Sequence, residues 1–129
     1  MKASTSAGVA SNSLKKGDVL ATARYAGIQA AKEASTLLLH ATSIVLSGVE
    51  IGFSVGDTHV DIEARVDCVG PWGPEAQALS AVTVAALTVY DMCKAADRTM
   101  TIGEVELVEI SGRPAGVWRR AGLGHENTD

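Results

Sequence analysis

Residues 49–68 read VEIGFSVGDTHVDIEARVDC, and their alternation of apolar and polar side chains decides the fold class. Apolar side chains occupy every second position of two segments: Val49, Ile51, Phe53 and Val55, then Val60, Ile62, Ala64, Val66 and Cys68. The polar residues Gly56–His59 lie between the segments. Because successive strand residues point to opposite faces, the pattern predicts an antiparallel hairpin with one buried and one wet face.

Helical patterns flank the predicted hairpin. Asp18 can cap a helix from Val19 to about His40, in which small apolar residues recur at helical spacing. Gly27 in its interior costs about 1 kcal/mol relative to alanine, so we expect close packing there. A second helix is predicted from about Glu75 to Ala96, with Pro74 tolerated in its first turn.

The ends of the chain complete the predicted topology. A last strand is predicted over about Thr101–Ile110, and residues 1–13 form either a frayed tail or a short edge strand. Residues 112–129 are predicted to be a flexible tail, which leaves one domain over residues 14–111. The order α-β-β-α-β indicates an α+β fold, and a strand within residues 5–12 would make it ferredoxin-like, with an antiparallel sheet and two long helices on one face.

Composition excludes several classes of function. The 129 residues carry a net charge of −4 and have a pI near 5.3, which argues against a nucleic-acid partner. The two cysteines, Cys68 and Cys93, belong to no CxxC or Cys/His cluster, so no metal is expected. The N-terminus has no signal core, and no apolar run reaches the roughly 18 residues of a membrane span. We expect a cytoplasmic protein with no membrane partner.

A few polar residues are candidates for chemistry, each beside a simpler interpretation. Lys16 precedes a helix N-terminus, where amides attract anions, although lysines there are usually just solvated. His40 could pass protons, or could simply interact with the carbonyls at a helix C-terminus. Asp91 and Lys94 could act on a ligand, or could form an ordinary i, i+3 surface pair. Glu75 at the start of a helix is explained by the helix dipole alone.

Two long segments of the predicted helices have a distinctive sequence: Lys15–Ser35 reads KKGDVLATARYAGIQAAKEAS, and Ala78–Met100 reads ALSAVTVAALTVYDMCKAADRTM. Both segments resemble the MoaC family of cyclic pyranopterin monophosphate synthases. The resemblance implies a ferredoxin-like subunit in a homo-oligomer, usually a hexamer of three dimers. It further implies a lyase of molybdenum cofactor synthesis that converts cyclised dihydro-GTP into cyclic pyranopterin monophosphate and pyrophosphate. No cofactor is implied.

The resemblance also assigns candidate roles by position. Asp91, Lys94 and Lys16 match catalytic residues, the lysines holding or protonating oxygens and the aspartate moving protons. The residues that match the substrate-binding positions are His40, Ala41, Thr42, Glu75, Ala76 and Gln77. Glu75 would grip the guanine edge or shuttle a proton.

Three positions depart from the family pattern. Thr42 stands where the family's LCHP motif has its histidine, with His40 two residues earlier. Gln77 replaces the second glutamate of the GVEMEAL motif, and Ile110 replaces a lysine of the C-terminal loop. The sequence therefore leaves three functions open: the family's synthase, a paralogue acting on another nucleotide-derived intermediate in specialised metabolism, or a non-catalytic nucleotide-binding homologue.

Helix geometry adds a constraint on the site. If one helix runs from Glu75 to Asp91, a rise of 1.5 Å per residue separates them by about 24 Å. That distance is too long for both to line one compact pocket in a single subunit. We therefore expect the site to combine two protomers.

Overall fold

A computed structural model describes residues 1–113 and 116–122 of the chain, without the side chain of Arg113. Its helices are α1 (Ala3–Ser11), α2 (Val19–Leu37) and α3 (Glu75–Cys93). Its strands are β1 (Val45–Val55), β2 (Val60–Val69), β3 (Glu109–Arg113) and β4 (Gly116–Arg119). The α+β class is thus confirmed, with antiparallel pairing in both β1–β2 and β3–β4.

The predicted hairpin is confirmed in β1 and β2. Phe53 pairs with Ile62 and Val55 with Val60, so the apolar positions of the two strands share one face. These side chains pack against the buried core that α2 and α3 cover. β1 begins at Val45, earlier than the alternation indicated, because an irregularity between Leu46 and Gly48 shifts the register there.

The two long helices pack closely through small side chains. Ala23 and Gly27 of α2 are buried, as are Ala81 and Ala85 of α3. An added Cβ at Gly27 would lie 2.9 Å from the carbonyl oxygen of Ala81, which explains the glycine. The cap is also confirmed, since Asp18 Oδ1 accepts a hydrogen bond of 3.0 Å from the amide of Ala21.

Both helices are shorter than predicted. α2 ends at Leu37 because Leu38 is extended, so His40 lies in the following turn and does not end the helix. α3 ends at Cys93, which leaves Lys94 at the C-cap position. Pro74 lies just before α3, at its N-cap, and not inside the first turn.

Tertiary contacts make the N-terminal segment a helix, so the prediction of a frayed tail or edge strand is wrong. Thr5, Ser6, Gly8 and Val9 of α1 are buried. The hydroxyl of Ser6 donates to the carbonyl of Gly56 in the hairpin turn, and the amide of Lys2 donates to Asp97. Composition could not reveal these partners, because they lie far away along the chain.

The C-terminal part differs most from the prediction. Residues 101–108 form no strand, and β3 and β4 form a separate hairpin, where a flexible tail was expected from residue 112. Arg120 fixes the residues just before β3. Its Nε donates a hydrogen bond to the carbonyl oxygen of Leu107, and its backbone amide donates one to the carbonyl oxygen of Val108. The described strands thus form two two-stranded sheets, and the ferredoxin-like single sheet is not confirmed. Residues 123–129 of the expected tail lie outside the described chain.

α3 is more apolar than the sequence analysis anticipated. Among the described residues, α3 is the one helix that is long enough and apolar enough to cross a membrane, judged by length and composition alone. Its Ala81, Ala85 and Val89 are buried in the core beside α2, and core helices of this kind commonly pass the same test. Its apolar character is thus in part that of a core helix.

Candidate active site

The three predicted catalytic residues meet where α3 ends. Lys94 donates a hydrogen bond of 2.7 Å from Nζ to Oδ1 of Asp91. Lys16, which precedes α2, reaches the backbone carbonyl oxygen of Asp91 with its Nζ at 3.4 Å. We call Lys16, Asp91 and Lys94 the lysine–aspartate cluster. The simple surface pair between Asp91 and Lys94 does form, but a second lysine from a distant segment joins it.

The cluster keeps its carboxyl group ionised. The hydrogen bond and the charge of Lys94 lower the pKa of Asp91 below its ordinary value, and the charge of Lys16 contributes less. Both partners of the ion pair are substantially exposed, so solvent can reach them and an anionic ligand could bind there. Two ammonium groups beside one carboxylate leave a local positive charge on an acidic protein.

The predicted substrate-binding residues gather at the opposite end of α3. Glu75, Ala76 and Gln77 form its first turn, and His40, Ala41 and Thr42 belong to the loop that follows α2. Gln77 is only 4% exposed, and its Nε2 donates to the carbonyl oxygen of Thr42 at 3.1 Å. His40 is exposed in this loop. We call these six residues the loop–helix group.

The two groups are separated by the length of α3. This helix runs without interruption over its 19 residues from Glu75 to Cys93. Glu75 and Asp91 are therefore about 24 Å apart along one rod. The structure joins Lys16, Asp91 and Lys94, and it joins Gln77 to Thr42, but it does not bring the two groups together within one chain.

A buried aspartate escaped the sequence analysis. Asp97 is 2% exposed and accepts hydrogen bonds from the amide of Lys2 at 2.6 Å and from the amide of Thr99 at 2.9 Å. The hydroxyl of Thr99 also donates to it, and these bonds lower its pKa to about 2. The spacing of Asp97 and Thr99 is typical of an Asx turn and could have marked the residue. Its partners make it an anchor for α1.

The cysteines, acidic residues and surface depressions in the described parts of the chain form no second candidate site. No group of three His, Cys, Asp or Glu side chains there could hold a metal ion. Both cysteines are free, and burial raises the pKa of the Cys93 thiol. A shallow depression of about 370 Å³ on the hairpin, lined by residues 52–54 and 61–63, contains none of the predicted site residues. Ile110 is half-buried in β3 opposite Trp118.

Comparison with known proteins shows the family of this chain. The model of the MoaC family matches residues 1–113. The chain belongs to the MoaC family. The cyclic pyranopterin monophosphate synthase of Thermoanaerobacter sp. (strain X514) is 48% identical over 122 residues, which are 93% of this chain and 77% of that protein.

Two further MoaC relatives carry the same name. The synthase of Heliobacterium modesticaldum is 48% identical over 109 residues, covering 83% of this chain and 69% of its own. That of Thermomicrobium roseum is 51% identical over 107 residues, covering 81% and 64% respectively. The range that the family model matches, residues 1–113, includes both the lysine–aspartate cluster and the loop–helix group.

Proposed function

We propose that this chain is a cyclic pyranopterin monophosphate synthase of molybdenum cofactor biosynthesis. It converts cyclised dihydro-GTP into the cyclic pterin and releases pyrophosphate. The observation that carries the proposal is the lysine–aspartate cluster, in which Lys16 joins Asp91 and Lys94 from a distant segment of a MoaC-family chain.

The charges of the cluster suit a phosphorylated substrate. Lys16 and Lys94 bind phosphate or ring oxygens, and Lys94 can donate a proton to one of them. Asp91 holds the ammonium group of Lys94 in place before the substrate arrives. When a substrate phosphate draws Lys94 away, the depressed pKa of Asp91 rises towards its ordinary value. Asp91 then becomes a better acceptor for a substrate proton.

The loop–helix group would bind the purine-derived part of the substrate. Glu75 in the first turn of α3 grips the guanine edge, and the loop of residues 40–42 is joined to the same turn through Gln77. A ligand held there cannot reach the lysine–aspartate cluster of the same subunit, about 24 Å away along α3. Each active site therefore combines the loop–helix group of one protomer with the cluster of another.

Exposed apolar side chains support this oligomer. Leu39 beside the loop–helix group is 92% exposed, and Leu87 on α3 is 54% exposed. Only 28% of the apolar stretch of α3 is buried within the chain. A second copy would cover such surface, and we propose a dimer-based assembly, a hexamer of the family's kind, in the cytoplasm. A strictly monomeric protein with full activity would contradict the shared site.

A second candidate function follows from the departures in the motifs. Ile110 lies in the β3–β4 hairpin opposite Trp118, where it offers neither charge nor proton. Gln77 is a neutral amide where the family motif has a carboxyl group. These changes favour, as the alternative, a paralogue that acts on another nucleotide-derived intermediate, or a homologue that binds nucleotides without turnover.

The test is direct turnover of cyclised dihydro-GTP. We expect pyrophosphate and the cyclic pterin from the wild type, and at least a hundredfold slower formation from Lys94→Ala, as for loss of a general acid or base. Lys32→Ala, which removes an exposed lysine from α2, is the matched control and should retain activity. Nucleotide binding without pterin would support the paralogue, whereas neither binding nor turnover would support a non-catalytic role.

A further inference from the structure

The buried amide of Gln77 links the two segments of the loop–helix group. Gln77 lies in the first turn of α3 with 4% of its surface exposed. Its Nε2 donates to the carbonyl oxygen of Thr42, 35 residues earlier in the chain. Residues 41–44 between α2 and β1 have no regular secondary structure. The buried side chain of Gln77 therefore holds in place a loop that has no helix or strand hydrogen bonds of its own.

We propose that Gln77 is a positioning residue that holds the loop of residues 40–42 against the N-terminus of α3. It acts through the backbone of Thr42 and not by touching the substrate, since its amide nitrogen is bonded to that carbonyl oxygen. The effect on catalysis rests on the proposed function, in which this loop and Glu75 bind the purine-derived part of the substrate.

The chemistry of the contact requires a hydrogen-bond donor at this position. The partner is a carbonyl oxygen, which only accepts hydrogen bonds, and the donor here is the amide N–H of Gln77. An ionised glutamate has no donor, and it would place a negative charge against the carbonyl dipole in a buried position. Gln77, in the place of the family's second glutamate, therefore removes an acid and also supplies a hydrogen-bond donor for the loop.

The two departures from the family motifs are in direct contact. Thr42 stands where the LCHP motif has its histidine, and Gln77 stands where the GVEMEAL motif has its second glutamate. The hydrogen bond of 3.1 Å joins these two positions. Because the acceptor is the backbone of residue 42, reverting Gln77 to glutamate removes the donor of this bond, whereas a change of the Thr42 side chain leaves its acceptor in place.

The experiment compares Gln77→Glu with Gln77→Met, which removes the donor without adding a charge. Hydrogen exchange is measured on the free protein, with the amide of Ala41 reporting on the loop and the β1–β2 hairpin as reference. In both variants the amide hydrogen of Ala41 should exchange on the order of tenfold faster than in the wild type, as for the loss of one hydrogen bond. The exchange rates of the β1–β2 hairpin should stay unchanged. In turnover of cyclised dihydro-GTP, KM should rise by a similar factor while kcat changes much less.

Each outcome decides the proposal. A Gln77→Glu variant with unchanged exchange and with KM at or below that of the wild type would overturn it. The proposal would also be overturned if kcat fell in proportion to the fraction of folded protein while KM stayed constant, because Gln77 would then contribute only to stability. If the wild type turns over no cyclised dihydro-GTP, the proposed function fails, and the exchange at Ala41 alone still decides whether Gln77 holds the loop.

Discussion

Lys94, at the C-cap of α3, donates a hydrogen bond of 2.7 Å to Asp91 in the last turn of the same helix. This contact fixes an ammonium group at the end of the helix, where the helix dipole also favours a cation. Lys16 adds a second ammonium group from before α2. The activity proposed for this MoaC-family chain depends on these two cations and on the arrangement of neighbouring copies.

Lys16→Ala should weaken substrate binding more than it slows chemistry. The lysine reaches only the backbone of Asp91, so its charge is available to a phosphate group. We expect KM to rise on the order of tenfold, with an effect that shrinks at high salt because exposed charges are screened. Lys15→Ala, one residue earlier and also exposed, is the matched control. Equal effects of the two substitutions would mean that only the general charge of this segment matters.

Mixing two inactive variants should restore activity if sites are shared between protomers. In a mixed dimer of Glu75→Ala with Lys94→Ala, one site receives an intact Glu75 and an intact Lys94 from different chains. Random reassembly of an equal mixture should recover about a quarter of wild-type activity. Activity is measured after dissociation and reassociation, with each variant treated alone as the control. No recovery despite proven mixing would show that each site lies within one chain.

Asp97→Asn should destabilise the protein at neutral pH and much less in acid. The pKa of Asp97 falls from an ordinary value of 3.8 to about 2 through its bonds with Thr99 and Lys2. Its contribution to stability is therefore complete above pH 4 and is lost as the pH falls towards about 2. The difference between the urea midpoints of unfolding of the wild type and of Asp97→Asn should be smaller at pH 3 than at pH 7. Asp57→Asn, in the exposed hairpin turn, should produce no such change.

Gly27→Ala should reduce stability although alanine is the better helix former. The new Cβ would overlap the side chain of Ile51 and lie 2.9 Å from the carbonyl oxygen of Ala81. We expect a loss of about 1–3 kcal/mol in the free energy of unfolding, as for overpacked cores. Gly52→Ala is the control, because no heavy atom lies within 4 Å of its added Cβ. A more stable Gly27→Ala variant would show that α2 and α3 can move apart without cost.

Local periodicity was sufficient for the centre of the fold. The β1–β2 hairpin follows from strict alternation, and the start of α2 from Asp18, because both depend on neighbours in the chain. The small residues of α2 likewise indicated close packing around Gly27 before Ile51 and Ala81 were known to surround it. Resemblance in the second helix identified the family, which the comparisons confirm.

By itself the sequence determined the hairpin, the two long helices, the MoaC family and the residues that are candidates for catalysis. Only the tertiary structure decided that residues 3–11 form a helix, that residues 101–108 form no strand, and that Gln77 binds the backbone of Thr42. The reason is physical. Periodicity reports which face of an element is buried, whereas these three features depend on hydrogen-bond partners outside the element itself, such as Asp97 for Lys2, 95 residues away, and Arg120 for Leu107, 13 residues away.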